Sequence, residues 1–569
     1  MNLLTKIQLL GQIARWRLTW DKRDTGFRPA ELQNPKFVSA RQAVALIADA
    51  AVVMSSGMAA NSRCSIFFWA IKERFLATGQ PRNLTWMVVG ANGGRGRAPG
   101  TLEELALPGL MTRYVGGHLE TIKAQLQLAQ EGKLELQAMP QGVMTFLLEA
   151  QGRGEDSLVT DVGVGTFLDP RVGAGTQVVP GRGESLVTVE GGKLRYRLPK
   201  LDVAMFVAPY ADAEGNIYME NAATLTESRE SSLAAKKNGG QVLVAVAEVR
   251  PRDPAKIFLP ADKVDAIVVN PRNEQTGAVP QKKYWPMFTA GARVDVEDAV
   301  GRLKFANRVL KITPVRTLSE LAMARLAAAL FMRIAPQGAN VNIGVGLPEE
   351  VCRLICEGGL TQDVTFATET GVYGGLPAPG VFFGAAINPI KLLSSAEIFH
   401  FWDQHLDVAI LGLLQADSEG NVNVSKRGEG PIHYVGPGGF PNLVRAAKNI
   451  IFIGSWMARA EIEVRGGKVV IQKPGTPKFL EQVDQITFSG KQALALGKQV
   501  FYVTHVGAFR LTRRGVELFQ VMPGIDIERD VLKACPMKIV LPEKAKPQVV
   551  EASIVTGQGF RLQWPKQIN

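Results

Sequence analysis

The strongest constraint on the fold of this chain is a duplicated segment. The stretch "LDVAMFVAPYADAEGNIYM", which begins at Leu201, aligns without a gap with "LDVAILGLLQADSEGNVNV", which begins at Leu406. In each copy an apolar run is followed by an acidic turn with Gly and Asn and then by an alternating run, which predicts a strand, a turn and a strand. Because the unit occurs twice, we expect two similar domains.

Weaker matches extend the duplication on both sides. Downstream, "LAAKKNGGQVLVAVAEV" around Ala234 matches "VRAAKNIIFIGSWMA" around Ala446, and both predict a helix end followed by a buried strand. Upstream, "NLTWMVVGANGG" from Asn83 matches "DVTFATETGVYGG" from Asp363. Each half is therefore predicted to be an open α/β unit in which strands and helices alternate.

These matches define the predicted domain organisation. Residues 1–37 form a basic amphipathic extension, residues 38–295 a first domain, residues 296–316 a linker and residues 317–569 a second domain. The matching segments lie farther apart in the first half, so extra sequence is expected there, with Pro140 to Pro199 as the candidate. A site is expected in the cleft between the two domains.

Composition narrows the class of protein. The chain has 569 residues, of which 46% are apolar and 21% charged, as in globular proteins of several domains. The formal net charge is +12, but basic and acidic residues are interleaved and no nucleic-acid motif is present. We therefore expect anionic small molecules as ligands and no nucleic acid. No apolar run reaches the roughly 20 residues of a transmembrane segment.

The first 20 residues, "MNLLTKIQLLGQIARWRLTW", contain three basic residues and no acid. An apolar stripe at helical spacing includes Leu3, Ile7, Leu10 and Ala14. A signal peptide is not favoured, because no small-residue cleavage site follows. An organelle transit peptide stays open, and the favoured interpretation is an amphipathic helix on the body of the protein or on a membrane surface.

The cysteines and histidines do not indicate disulfides or a metal site. Four cysteines, Cys64, Cys352, Cys356 and Cys535, are too few for a disulfide framework in a chain of this size, so a reducing compartment such as the cytoplasm is expected. Cys352 and Cys356 are one helical turn apart, but two further metal ligands are missing nearby, and buried thiols are favoured. The five histidines are scattered without metal spacing.

The segment "FATETGVYGG", residues 366–375, contains a single carboxylate, Glu369, directly after a predicted strand. The first half has "GANGG" at the matching place, so Glu369 has no counterpart there. Ligands of open α/β sheets bind beyond the carboxyl ends of the strands, and Gly371, Gly374 and Gly375 would let a ligand approach the backbone. A helix cap or a surface ion pair is the alternative role for the glutamate.

Three other turns carry candidate site residues. In "NIGVGLPEE", Gly344 and Gly346 form a turn at a helix start, which either binds an anion or is purely structural. In "YVGPGGFPN", the backbone N–H groups of Gly438 and Gly439 can point at one spot, as an oxyanion hole requires. In "LQAMPQGVM", the side-chain amide of Gln141 can donate in the same way or merely close a turn.

Several motifs in order make the chain similar to a known family. These are "ELQAMPQGV", "DVGVGTFLDPR", "NVNIGVGLPEEV", "ETGVYGGLPAPG", "FGAAINP", "VGPGGF" and "PGIDIERDVL". From about Val38 onwards the chain resembles the family I coenzyme A transferases, of the fused kind that joins both subunit types in one polypeptide. It most resembles the short-chain acyl-CoA:acetate and propionate transferases and, more distantly, the 3-oxoacid transferases.

The resemblance implies an activity. The enzyme would move coenzyme A between carboxylic acids by a ping-pong mechanism through a glutamyl-CoA thioester. Its partners would be an acyl-CoA and a small carboxylic acid, with coenzyme A as a substrate, and neither a cofactor nor a metal is expected. A homo-oligomer is expected as well.

The resemblance also implies site residues. The nucleophile would be Glu369, and Gln141, Gly438 and Gly439 would stabilise the oxyanion. The resemblance places Asn92 on the acceptor side. Together with the glycine turns described above, the residues expected to line the substrate and CoA sites are Asn92, Gly344, Gly346, Gly371, Gly374, Gly375 and Asn388.

The chain departs from the family pattern in two places. The family's glycine turn is replaced by "MSSGMAANSRCSIFF", and the loop from Ser55 to Phe68 is therefore expected to change the acyl or acceptor range. The alternative is that its aromatic residues only pack the following helix. The segment "THVGAF" has His505 in place of the family's acid. Two rival functions stay open, namely a thioester or ring-opening hydrolase in which Glu369 activates water, and a non-catalytic CoA-binding regulator.

Overall fold

The computed structural model describes residues 2–94, 98–312 and 315–565. Helices and strands alternate along both halves, as the sequence predicts. The elements of the first half are α1 Leu3–Thr19, α2 Ala40–Val44, β1 Val52–Ser55, α3 Ser65–Thr78, β2 Leu84–Val88, β3 Met111–Gly116, α4 Lys123–Gln130, β4 Glu135–Ala138, α5 Gln141–Arg153, β5 Ser157–Thr160, β6 Val187–Glu190, β7 Lys193–Arg197, β8 Val203–Ala211, β9 Ile217–Tyr218, α6 Ser228–Lys237, β10 Gln241–Val249, β11 Ala266–Val269, β12 Glu274–Thr276 and β13 Val279–Pro280.

The second half begins with a helix that precedes its sheet. Its elements are α7 Val296–Leu310, α8 Leu318–Ile334, β14 Ala339–Ile343, α9 Leu347–Glu357, β15 Val364–Ala367, β16 Val372–Tyr373, β17 Leu376–Pro377, β18 Ala386–Ile387, β19 Lys391–Leu392, α10 Ser395–His405, β20 Val408–Gly412, β21 Gln415–Asp417, β22 Val422–Asn423, α11 Phe440–Ala446, β23 Asn449–Ile453, β24 Met457–Ala458, β25 Glu461–Arg465, β26 Lys468–Lys473, β27 Thr476–Pro477, β28 Phe479–Leu480, α12 Gly490–Ala495, β29 Gln499–Val503, β30 Gly507–Thr512, β31 Gly515–Val521, β32 Gln548–Val549 and α13 Ala552–Thr556.

The two main sheets share one strand order. The first sheet runs β11-β10-β8-β1-β2-β3-β4, and the second contains β29-β23-β20-β14-β15 in the matching arrangement. All neighbouring strands in these two series are parallel. The prediction of two duplicated open α/β domains is confirmed. In each sheet the carboxyl ends of the parallel strands meet at one edge.

The strands are apolar on both faces because helices cover both sides of each sheet. Along β10, Val242 and Val244 pack into one core of the first half, and Leu243 and Ala245 pack into the core on the opposite face. Such continuous apolar runs are typical of parallel strands that are buried on two sides.

The shared "AD-x-EGN" letters form the same turn in both halves. In the first half, Asp212 accepts hydrogen bonds from the backbone N–H of Gly215 at 2.9 Å and of Asn216 at 3.0 Å. In the second half, Asp417 accepts from the backbone N–H of Asn421 at 3.0 Å. A side-chain carboxylate that closes its own turn is a local signal, which explains why the duplication is readable from the sequence.

The extra sequence of the first half begins earlier than predicted. Strands β3 and β4 extend the first sheet beyond β2, and only then do β5, β7 and β6 form a separate antiparallel sheet within residues 157–197. The prediction of an insert from Pro140 to Pro199 therefore missed β3 and β4, which look like ordinary members of the α/β series. In the second half, the short antiparallel strands β16 and β19 occupy the corresponding edge.

The segment predicted as a linker, residues 296–316, contains the 15-residue helix α7. The side chain of Asp295 caps its start by accepting from the Asp298 N–H at 2.7 Å. Leu303 on α7 and Phe288 before it are buried in the core of the second half. The chain from about 279 to 310 is therefore packed with the second domain, although the sequence assigned residues up to 295 to the first domain.

The N-terminal extension is docked on the body of the protein. Helix α1 contacts α7, and its residues Leu9 and Ile13 are buried. The indole N–H of Trp16 donates to the Glu274 carboxylate at 2.5 Å. Within the described ranges, no helix is long and apolar enough to cross a membrane.

The packing of α7 predicts that it contributes to the stability of the second domain. Leu303 is fully buried, so Leu303→Ala should lower the free energy of unfolding by about 2–5 kcal/mol. The exposed Val309 on the same helix serves as control, and Val309→Ala should change stability little. Urea unfolding followed by circular dichroism measures both. Equal, small effects for the two variants would contradict the packing of α7 and would support the predicted flexible linker.

Candidate active site

Glu369 lies where the sequence predicts it, just beyond the carboxyl end of β15. The neighbouring strand β14 places Asn342 in register with Ala367, the last residue of β15. Both side chains are buried, with 9% of Glu369 and 0% of Asn342 exposed. The carboxylate therefore lies at the edge of the second sheet where α/β proteins bind ligands.

Several buried polar atoms near Glu369 lack a partner. Among the described residues, none forms a hydrogen bond with Glu369 Oε2, Asn342 Oδ1 or either amide atom of Asn442. Buried polar groups in folded proteins are nearly always hydrogen-bonded, so such a group of atoms marks a place where a ligand completes the bonding. Asn342 and Asn442 were missed as site residues, although both lie within the quoted motifs "NIGVGLPEE" and "YVGPGGFPN".

The environment changes the acidity of Glu369. Burial raises the pKa of its carboxyl group to about 7, and its own backbone N–H and the Asn342 amide offset only part of that effect. A carboxyl group with this pKa is partly ionised at neutral pH. It is also a stronger base than an exposed glutamate, which suits a nucleophile or a general base.

Residues from both halves converge on Glu369. A Cβ atom on Gly439 would lie 3.0 Å from Glu369 Cγ and 3.2 Å from Gln141 Oε1, so these three residues are in contact. Gln141 is the first residue of α5, directly beyond β4 in the first sheet. Phe399 of α10 lies at the same point, 3.2 Å from that Cβ position, and forms an apolar wall.

Backbone hydrogen bonds hold this junction together. The Gly438 N–H donates to the Gly117 carbonyl at 2.7 Å, and the Gln141 N–H donates to the Gly438 carbonyl at 2.9 Å. The Gly438 N–H is therefore occupied and does not point at Glu369 as a free donor. Gly439 is the N-cap of α11, and its N–H has no acceptor inside the helix, which leaves it as the available backbone donor of the pair.

Asn92 lies at the carboxyl end of β2 in the first sheet and is fully buried. Its amide donates to the backbone carbonyl of Ser55 at 2.9 Å and to the Ser55 hydroxyl at 3.1 Å. Its Oδ1 has no partner among the described residues and lies beside Gly57. Asn92 thus fixes Ser55, the last residue of β1 and the first of the altered loop. That Asn92 lines the acceptor side of the site stays a prediction.

The altered loop from Ser55 to Phe68 has two parts. Cys64, Phe67 and Phe68 are buried in the first core, as expected if these side chains only pack the helix α3. The part before them faces the second half, where the Asn61 amide donates to the Phe383 carbonyl at 2.8 Å. Residues from Met58 to Ser62, around this contact of Asn61, are therefore the candidates for an effect on substrate choice.

The glycines after Glu369 are explained by protein packing. A side chain on Gly371 would overlap the Leu393 carbonyl, and one on Gly375 would overlap the Ile387 carbonyl. A side chain on Gly374 would overlap the side chain of Ile390. All three have positive φ, which only glycine adopts easily. These contacts account for the glycines without a ligand, and their role in binding substrate stays a prediction.

The remaining predicted CoA residues also have structural roles. Gly344 donates from its N–H to the Ile410 carbonyl at 2.8 Å, and Gly346, with φ 95°, begins helix α9. The Asn388 amide donates to the Val294 carbonyl at 2.8 Å and accepts from the Val294 N–H at 2.9 Å. Asn388 therefore fastens the chain before α7 to the second domain, and nothing in these contacts places it against a substrate.

His505 lies just beyond the carboxyl end of β29, in the same sheet as β15. It is buried, and its Nδ1 accepts from the Trp456 N–H at 3.3 Å. Burial and, secondly, the charge of Lys478 lower the pKa of His505 to about 4, so it is neutral at physiological pH. The Lys478 ammonium donates to the Leu413 carbonyl at 2.9 Å.

Comparison with known proteins finds relatives that match most of this chain. A family model described as coenzyme A transferase matches residues 37–270. The caffeate CoA-transferase of Acetobacterium woodii is 35% identical over 512 residues, which cover 87% of this chain and 93% of that protein. The acetate CoA-transferase YdiF of Escherichia coli (strain K12) is 28% identical over 536 residues, covering 92% of this chain and 96% of the relative.

A solved structure shows the same architecture. The acyl-CoA transferase YdiF of Escherichia coli O157:H7, crystallised as a thioester complex with CoA, superimposes with a TM-score of 0.80 at 27% identity. The match covers 92% of this chain and 97% of that one. The chain therefore belongs to the family I coenzyme A transferases, of the fused two-domain type, and is an acyl-CoA:carboxylate CoA-transferase.

Proposed function

We propose that Glu369 is the nucleophile of the CoA transfer and that Gln141 and Gly439 stabilise the oxyanion. The observation that carries this proposal is the contact of these three residues at the junction of the two halves. The carboxamide of Gln141 from the first half and the backbone of Gly439 from the second half meet one buried carboxylate there. That is the arrangement that acyl transfer to a carboxylate requires.

The first step uses the carboxylate directly. A carboxylate oxygen of Glu369 attacks the carbonyl carbon of the acyl-CoA, and the carbonyl electrons move to oxygen to give a tetrahedral oxyanion. The oxyanion lies against the Gly439 N–H and the Gln141 side-chain amide. Its collapse breaks the carbon–sulfur bond and releases CoA thiolate, and an acyl-glutamyl anhydride is left on the enzyme.

The thiolate then attacks the Glu369 carbonyl of that anhydride. The bond between the Glu369 carbonyl carbon and the bridging oxygen breaks, so the first carboxylic acid leaves as its carboxylate and a glutamyl-CoA thioester is formed. A second carboxylate attacks this thioester and the same steps run in reverse, which returns Glu369 and a new acyl-CoA. The proposed chemistry uses no group beyond the enzyme, CoA and the two acids.

The physical setting favours this route. A carboxylate is a weak nucleophile towards a thioester in water, but holding both groups in one oriented site can remove roughly 7–11 kcal/mol of the barrier. Each donor at the tetrahedral oxygen adds about 3 kcal/mol of transition-state stabilisation. The burial of Glu369 also keeps water from the anhydride, which would otherwise hydrolyse.

The substrate range is proposed from the relatives and from the altered loop. We propose small carboxylic acids as acceptors, because the relatives are named for caffeate and for acetate. Loop residues Met58 to Ser62 are proposed to shift the preference away from acetate and propionate. A cytoplasmic location is supported by the four cysteines, all free in the structure, and a homo-oligomer is proposed from the family resemblance.

An assay with an acyl-CoA and a panel of carboxylates of graded length and polarity tests this function. A new acyl-CoA supports transfer, free CoA without a new thioester supports a hydrolase, and no product supports a binding protein. Met58→Gly opens the loop, while Leu76→Gly on the exposed side of α3 serves as control. If acetate is the best acceptor for the native enzyme and Met58→Gly leaves the ranking unchanged, the loop has no role in selection.

The nucleophile assignment predicts a covalent adduct. Intact mass spectrometry after treatment with acyl-CoA should show the added mass of CoA on the native protein. Glu369→Gln has an amide that cannot form the anhydride, so it should acquire no adduct and lose at least roughly a thousandfold in rate. Normal turnover by this variant would show that another residue is the nucleophile.

Gln141 is predicted to act in the transition state. Gln141→Ala should lower kcat by roughly 100-fold or more with little change in CoA affinity, because an oxyanion donor contributes mainly when charge develops. Gln151 on the same helix is also buried, but its amide donates to the carbonyl of Pro199 at 2.9 Å. Gln151→Ala is the matched control for loss of a buried amide. A change confined to CoA affinity would make Gln141 a binding residue.

The raised pKa of Glu369 predicts the pH dependence of the first half-reaction. Glutamyl-CoA formation should fall as the pH drops below about 7, because the nucleophile becomes protonated. The free energy of unfolding should change in the opposite direction with pH. The folded state favours the neutral carboxyl group, so this contribution to stability is complete below the usual pKa of 4.5 and is lost as the pH rises through about 7. Rapid-quench rates and thermal unfolding against pH test both, with Glu369→Gln as the variant without this titration.

A further inference from the structure

The N-terminal helix α1 has an apolar face that the rest of the described structure does not cover. The exposed large residues on this face are Leu3 at 73%, Leu4 at 64%, Ile7 at 56%, Leu10 at 45% and Leu18 at 75%. We call these residues the outer stripe. At 100° per residue, they fall on one side of the helix.

A different face of the helix makes the contact with the protein body. Leu9 and Ile13 are buried, Trp16 donates to Glu274, and the Gln12 amide donates to the Ala278 carbonyl at 3.1 Å. The outer stripe is therefore not needed to dock α1. Helix α1 therefore has one apolar face that packs on the protein and a second apolar face that is exposed to water. Such an exposed apolar face indicates a binding surface.

The charges beside the outer stripe are all of one sign. Lys6 and Arg17 flank it on one side and Arg15 on the other, and α1 contains no acidic residue. The Arg17 guanidinium also lies 4.5 Å from the ring of Trp20, at the end of the helix. Apolar side chains bordered by basic residues, with an aromatic ring at one end, match the boundary between the acyl chains and the headgroups of an anionic bilayer.

A second copy of the chain fits this surface less well. Pairing two outer stripes would bring the same three basic residues of each copy together without an opposing acid from α1. An anionic lipid surface instead supplies the missing negative charge, and the net charge of +12 attracts the whole chain to it.

We propose that α1 is an interfacial anchor that places this enzyme on an anionic phospholipid surface. The outer stripe enters the headgroup region, and the inner face stays on the protein body. The helix lies on the membrane and does not span it. The binding is reversible and sensitive to salt, because it combines a short apolar stripe with few charges. This anchoring does not depend on the identity of the catalytic residue.

Vesicle sedimentation with the purified full-length protein tests the proposal. The protein should sediment with vesicles of phosphatidylcholine and phosphatidylglycerol and stay in solution with vesicles of phosphatidylcholine alone. Raising the salt concentration should release it. Lys6→Gln with Arg15→Gln should lower the partition coefficient roughly 10- to 30-fold, because each basic residue near an anionic surface contributes a factor of about five.

The stripe itself is tested with a triple variant, Leu3→Ser, Ile7→Ser and Leu10→Ser. These side chains are exposed, so the fold and the CoA-transfer rate should be unchanged, while vesicle binding should fall by at least about 10-fold. The matched control is Leu46→Ser, Leu76→Ser and Val549→Ser, whose residues are 46%, 65% and 61% exposed in other parts of the chain. The control should bind vesicles like the native protein.

Three results would overturn the proposal. These are no binding to the anionic vesicles, equal binding to both kinds of vesicle, and equal losses in the stripe variant and in the control. Sedimentation velocity without lipid tests the alternative occupant. A lower oligomeric mass for the stripe variant alone would assign the outer stripe to contacts between copies of the chain. A native CoA-transfer rate in that variant keeps a failure of the anchor distinct from a failure of the catalytic assignment.

Discussion

The active site depends on a short series of backbone hydrogen bonds between the two halves. On one side of Glu369, Gly438 donates to Gly117 and accepts from Gln141. On the other side, the Thr226 N–H donates to the Thr370 carbonyl at 3.1 Å. Each such bond contributes only about 1 kcal/mol net, so their importance is geometric. They fix the carboxylate of one domain against the amide of the other, and side-chain contacts alone would not hold that alignment.

The site has an energetic cost that the rest of the fold offsets. A rise of the Glu369 pKa from 4.5 to about 7 corresponds to about 3 kcal/mol of lost stability when the group is ionised. The side-chain atoms of Asn342 and Asn442 that find no partner among the described residues add to that cost. In the part of the chain that the structure describes, four large buried cores, two for each sheet, provide the compensating stability. Two well-packed domains thus tolerate a polar centre that is itself destabilising, and the packing rather than the site determines the fold.

The sequence predicted the parts of the structure that have local signals. The Asp-closed turns at Asp212 and Asp417 revealed the duplication, and the lone carboxylate after an apolar strand located Glu369. Asn342 was missed because a single asparagine inside a strand carries no periodic signal. Its place beside Glu369 depends on the register of β14 and β15, which is a property of the folded sheet. The glycines 371, 374 and 375 were assigned to ligand contact because sequence cannot tell a ligand from the backbone that approaches them.

Helix α7 was missed because the sequence before it, with Pro271, Pro280 and Pro286, predicts an irregular chain that leads into a linker. The packing of α7 limits where the polypeptide could be divided into two separate chains. If the two domains were produced as separate polypeptides, a break at the end of the predicted linker would put α7 and Phe288 on the first polypeptide. They would then be separated from the core of the second domain, in which they are buried. A break between β11 and β12 would instead leave α7 and Phe288 with the core they fill, although Ile13 and Ala223 of the first half also contribute to that core. Two chains divided at that point would meet through contacts that include the backbone hydrogen bonds around Glu369, the Trp16–Glu274 hydrogen bond and the Asn61–Phe383 hydrogen bond.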